Sequence, residues 1–133
     1  MNPNTQNGAA LVGRILLAVM FILSGFGKIT GYDGTAGYMA SKGLPMVNVL
    51  LPLTILTELG GGLALAAGFK ARWVALLLAA FTILAGLIFH NFWAADAAQH
   101  MNQQINFMKN ITIAGGMLMV FAFGPGRYSV DKS

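Results

Sequence analysis

Four stretches of this chain are each apolar for about the length of a bilayer crossing, and that decides most of what it can fold into. A spanning helix needs about 20 mostly apolar residues, with a range of roughly 17–25. The qualifying segments run over residues 9–29, 46–69, 73–93 and 105–123. Four core helices of a soluble bundle would need charged outer faces. The second and third segments have none. Only 9% of the 133 residues are charged and 56% are hydrophobic, whereas a soluble domain carries about a quarter charged residues. The reading is therefore an all-α integral membrane protein, a bundle of four transmembrane helices in a single domain over residues 1–133. The lipid bilayer is its solvent and first partner.

Punctuation sets the connections. Gly31-Tyr32-Asp33-Gly34 ends the first span and Pro45 restarts the chain. Gly68 to Arg72 is a tight turn, and Trp93 to Gln104 reads as a polar loop containing His100. Gly124-Pro125-Gly126 ends the last helix. The N-terminal MNPNTQNGAA lacks the basic region of a signal peptide, so the first span is expected to stay uncleaved.

The net charge is +4, from basic residues that are scattered and not clustered. Nucleic-acid binding is not expected from that pattern. In a membrane protein the loops that hold Lys and Arg set orientation. Lys70, Arg72, Arg127 and Lys132 fall on the side of the termini. Lys42, with Lys28 and Lys109 at helix ends, falls on the other. Both termini are therefore expected in the cytoplasm.

Ionisable residues inside spans are costly and mark function by default. There are five here: Arg14, Lys28, Glu58, His90 and Lys109. Arg14, Ala18, Phe21, Gly25 and Lys28 share one helix stripe, read as facing inward. The alternative for Lys28 is snorkelling to the headgroups. Glu58 is the one acid in any span. It has two open fates: to pair with Arg14, or to stay protonated and handle protons. His90 ends a stripe of small residues, Ala75, Ala79, Thr82 and Gly86, which must pack closely on a neighbour. Lys28, His90, Asn91, Lys109 and Asn110 should reach one level and form a pocket rich in donors, suited to an anion or a carbonyl oxygen.

Cysteine is absent. Disulfides and cysteine-ligated zinc or iron–sulfur centres are therefore not available to this chain. No metal site is evident, and haem is not expected, because His100 falls in a loop rather than facing His90.

The polar motifs resemble a known family. Arg14 with Gly25-Phe-Gly-Lys28, then Glu58-Leu-Gly60-Gly61-Gly62, are similar to the first- and second-helix signatures of the DoxX family of small bacterial membrane proteins. His90-Asn-Phe92, Phe107-Met-Lys109-Asn110, Gly115-Gly116 and the tail Gly124 to Asp131 resemble its later motifs, in order along nearly the whole chain. The resemblance implies four transmembrane helices in a Gram-negative inner membrane and a link to quinone. The family takes its name from a subunit of a thiosulfate:quinone oxidoreductase, and members are often labelled quinol oxidases. Others are described as membrane partners in oxidative-stress complexes.

Three functions are open on these grounds. The first is a quinone-linked oxidoreductase or its membrane subunit. Glu58 and His90 are its catalytic candidates, with Arg14, Lys28, Asn91, Lys109 and Asn110 binding the ligand. The second is a non-enzymatic scaffold that anchors a redox or stress-response complex, with a membrane or periplasmic redox partner. The third is a small-solute or proton pathway, which one short bundle would form only as a homo-oligomer.

Overall fold

The computed structural model describes residues 1–132, and it is helical throughout its spans, with no strand among them. Five helices follow in order: α1 Pro3–Thr30, α2 Tyr32–Ser41, α3 Val47–Ala67, α4 Ala71–Phe89 and α5 Ala97–Phe123. Four of them are long and apolar enough to cross a membrane, the third with the short turn that continues it to Ala94; α2 is the exception.

Two of the four spans begin earlier than hydropathy suggests. In α1, Asn2 caps the first turn by accepting from the Asn4 backbone N–H, and Pro3 fits the first helical position. The expected loop over 93–104 is mostly helix, because Asp96 accepts from the Gln99 N–H and starts α5 at Ala97. Its first two turns are polar because they extend past the apolar band. His100 thus lies on a helix, edge-on to Phe92 at 5.5 Å.

The helices pack as two antiparallel pairs, α1 with α3 and α4 with α5. In the half nearer the termini the pairs close on a core of Ala18, Phe21, Leu65, Ala75, Leu78, Ala79, Ala114 and Met117. The α1–α3 crossing depends on glycine. A Cβ on Gly25 would lie 2.9 Å from the Leu59 backbone nitrogen, and one on Gly62 would lie 3.1 Å from that of Ile22. Any side chain at either position would push the two backbones apart.

Within α3, Leu56–Gly60 winds as a single π turn, after Pro52 and running into three successive glycines, Gly60 to Gly62. Pro52 brings no backbone donor to the helix ladder and glycine holds helix weakly, so this stretch is where the winding can relax. Such turns recur at functional sites, and this one carries Glu58.

Candidate functional site

Both expected inward stripes are inward. Arg14, Ala18, Phe21 and Gly25 are the buried residues of α1, and Ala75, Ala79, Thr82 and Gly86 are buried on α4. The two ends of the α1 stripe, however, serve different structures.

Glu58 does not pair with Arg14. Its partner is Lys28, whose Nζ lies 2.7 Å from Glu58 Oε1. Gly25 lets the two backbones touch, and that brings Lys28 to Glu58's level. Arg14 is held more than three helical turns away along α1, at about 1.5 Å of rise per residue. Lys28 also donates to Ser24 Oγ at 2.7 Å, so it turns inward and does not snorkel. The approach to Oε1 lies outside hydrogen-bond geometry and acts through charge.

Arg14 is 2% exposed and forms no ion pair within 4 Å among the described residues, although Asp131 is close enough to act on it through charge. Its guanidinium donates to the carbonyls of Pro125, Tyr128 (2.8 Å) and Ala66 (3.3 Å). From sequence the tail read as a helix terminator, a family motif and a source of basic charge, with no packing role. In the structure it is a strap folded across the terminal end of the bundle. Val130 and Asp131 donate their N–H groups to the carbonyls of Ala67 and Gly68. The Asp131 carboxylate accepts from the N–H groups of Lys70 (2.9 Å) and Ala71 (2.8 Å), capping α4. Gly68 sits at φ 72°, directly against Ser129, where no larger residue would fit. The signal for this lay in the tail's Gly-Pro-Gly and Asp131, which supply a tight bend and a cap.

At the distal end, away from the termini, the two helix pairs separate around a cavity of about 760 Å³. Lys28, Glu58, His90 and Asn110 all line it, with Thr54, Thr82 and Tyr38. The rest of the wall is largely apolar. Size and lining fit the usual small-molecule site, which is mostly apolar with a few placed polar groups. His90 Nδ1 lies 2.8 Å from Gln103 Oε1, which fixes the ring. Asn110 Nδ2 donates to the Thr82 carbonyl at 3.0 Å.

The expected donor-rich pocket is therefore only partly assembled. Lys28, His90 and Asn110 meet in it. Lys109 does not: it is exposed on α5, beside a separate and shallower groove of about 580 Å³. Asn91 is half-buried beyond the end of α4 and does not line the cavity, and Arg14 belongs to the opposite end. Glu58, by contrast, joins the pocket. Exchanging Lys109 for Glu58 removes the net positive charge that would have favoured an anion. What stays is a charge-balanced wall suited to a neutral polar group such as a carbonyl or hydroxyl. Among the described residues no group of His, Cys, Asp or Glu is placed to hold a metal ion.

Fold and site together define an integral membrane protein of four spanning helices, with a largely apolar cavity carrying a few polar groups in one half. A family model described as DoxX matches residues 9–91, and the chain belongs to that family. It is 48% identical over 127 residues to inner membrane protein YqjF of Escherichia coli (strain K12), covering 96% of this chain and 92% of that protein. It is 35% identical over 122 residues to inner membrane protein YphA of the same organism, covering 92% and 87%. It is also 26% identical over 133 residues to a Surfeit locus protein 4 homolog of Schizosaccharomyces pombe, covering 97% of this chain and 38% of that protein. No solved structure matches significantly. Four spans and two inner-membrane relatives make this a bacterial inner-membrane protein of the YqjF type.

Proposed function

We propose that the distal cavity binds a lipid-soluble quinone or quinol, and that the protein is a quinone-linked oxidoreductase or the membrane subunit of one. The observation that carries this is the Lys28–Glu58 pair in the wall of an otherwise apolar cavity of about 760 Å³. A buried charged pair is expensive in lipid and marks function by default. The residues fit such a head group. Lys28 has a further N–H to give to a ring oxygen, and among the described residues His90 Nε2 has no hydrogen-bond partner. Interconversion of quinone and quinol moves protons as well as electrons. Glu58 and His90 are the groups placed to exchange those protons, while electrons pass to or from a second substrate or a partner.

The test is purification in mild detergent with mass spectrometry of the bound lipid-soluble molecules. The expected result is quinone or quinol near one per protein, lost in His90→Ala and Glu58→Gln. Quinone no higher than in an unrelated membrane protein from the same cells would remove this reading.

A second reading is a membrane scaffold for a redox or stress-response complex. It is favoured by the aromatic cluster of Phe92, Trp93 and Phe107 at the distal end, where Trp93 is 55% exposed. Stoichiometric copurification of another protein without quinone would select it.

The orientation belongs to the same proposal. With Lys28 engaged by Glu58, the distal loops keep Lys42 against Lys70, Arg72, Arg127 and Lys132 at the terminal end. That asymmetry favours both termini in the cytoplasm and the cavity in the periplasmic half. A reporter fused after Ser133 should be active only in its cytoplasmic form. Periplasmic activity there reverses the orientation.

A further inference from the structure

The cavity is walled differently on its two open sides. Toward the distal surface it is roofed by α2, which contributes Gly34, Thr35, Tyr38 and Met39 to the lining, with Gly31 just before it. Met39 is 5% exposed, and Tyr38 stacks on Phe89 at 5.6 Å between centroids. The roof thus reaches from the end of α1 across to the end of α4. Toward the bilayer there is no such cover. Helices α1 and α4 do not pack substantially on each other. Met20 of α1 and Leu84 of α4 line the cavity and are nevertheless 43% and 57% exposed, so the cavity opens here toward the surface that faces the hydrocarbon.

The polar groups and this opening are separated along the helix axis. Lys28 lies eight residues from Met20, or about 12 Å at the rise of an α-helix. A wall that is polar at the roofed end and apolar at the rim matches a molecule with a polar head and a hydrocarbon tail.

We infer that the cavity is loaded sideways from the lipid through the gap between Met20 and Leu84, and that its ligand is an amphiphile with a small, uncharged, hydrogen-bonding head. The head lies against Lys28, Glu58 and His90 beneath α2, and the tail leaves between α1 and α4. Water-soluble molecules of the same head chemistry are not its substrates, because they lack the tail that the apolar part of the wall takes up. This extends the quinone proposal and rests on the same cavity, but the amphiphile site does not require that the head be a quinone.

The test uses protein in nanodiscs and three probes, compared at equal concentration in the bilayer so that partitioning is removed. They are a tail-less dimethoxy-methyl benzoquinone, its decyl derivative, and dodecanol as an amphiphile without redox chemistry. The decyl quinone should bind at least tenfold more tightly than the tail-less one. Met20→Trp/Leu84→Trp fills the rim at two exposed positions outside the polar site. It should weaken decyl quinone and dodecanol binding at least tenfold and leave the melting temperature within a few degrees. Dodecanol that binds and is lost in the rim variant, with neither quinone bound, removes the quinone reading and keeps the lateral site. Equal affinity for the tailed and tail-less quinones, tailed ligands indifferent to the rim variant, or no binding of any probe overturns the inference.

Discussion

Lys28→Met is expected to lower folded yield and thermal stability more than Glu58→Gln, and the double variant to recover part of the loss. Removing one partner of a buried ion pair costs about 3–5 kcal/mol in soluble proteins, because the other charge is left in low dielectric. The two partners here are not equally trapped. Glu58 has a side chain 6% exposed, whereas that of Lys28 is 27% exposed and also bonded to Ser24. Without Lys28 the carboxylate loses its ion-pair partner while its surroundings stay apolar. Without the Glu58 charge, Lys28 keeps its serine contact and can extend its ammonium toward the headgroups two residues before the end of α1. The order of severity is therefore lysine first, glutamate second. In the double variant neither charge is present, and the crossing at Gly25 and Gly62 is untouched. Thermal unfolding in one detergent for the parent, both singles and the double gives the coupling directly. Strictly additive losses would mean that the 2.7 Å contact contributes nothing to the fold.

This pairing also shows how far the sequence could be read. Four spans, the inward stripes on α1 and α4, and the family were legible from hydropathy, from helical spacing and from motif order. Each of those signals is local or repeats within one helix. The partner of Glu58 was not legible, because it depends on where two helices cross. A pairing with Arg14 would need residues 14 and 58 to lie at one depth, which spacing within either helix does not decide. Contact between α1 and α3 through Gly25 and Gly62 fixes a different register, with Lys28 at the level of the π turn. The exclusion of Lys109 has the same origin. Its position on α5 follows from a helix that begins at Ala97, and that start was hidden because Gln99 to Gln104 are polar enough to pass for a loop. The helix α2 is short and weakly patterned, so nothing in its composition announced a roof.

Arg14→Met is expected to cause the largest single loss of stability in the protein, and to release the tail. The guanidinium is the one group that ties α1, the end of α3 and the residues after α5 into a common junction. Hydrogen bonds to a charged donor contribute about 1.5–3 kcal/mol each, and orphaned buried acceptors cost a comparable amount. Three carbonyls lose their donor at once, one of them on Pro125, which is fully buried. Arg14→Lys should rescue only part of this. A lysine ammonium lacks the planar fork that addresses several carbonyls from one side chain. Asp131→Ala breaks the strap at its other end. It should cost about 0.5–2 kcal/mol, the usual value of a helix cap, since the Arg14 contacts persist. The two changes also differ in a readout that a general loss of packing would not reproduce. Trypsin cuts after Arg127, an exposed residue held between the Pro125 and Tyr128 contacts. In Arg14→Met, cleavage there should accelerate at temperatures well below the melting point. In Gly86→Leu, which crowds α4 against Asn110 and Phe107 at the far end, it should accelerate only as the bundle unfolds. Equal protection of Arg127 in the parent and in Arg14→Met would show that the strap is held by its backbone bonds to Ala67 and Gly68 and owes nothing to the buried arginine.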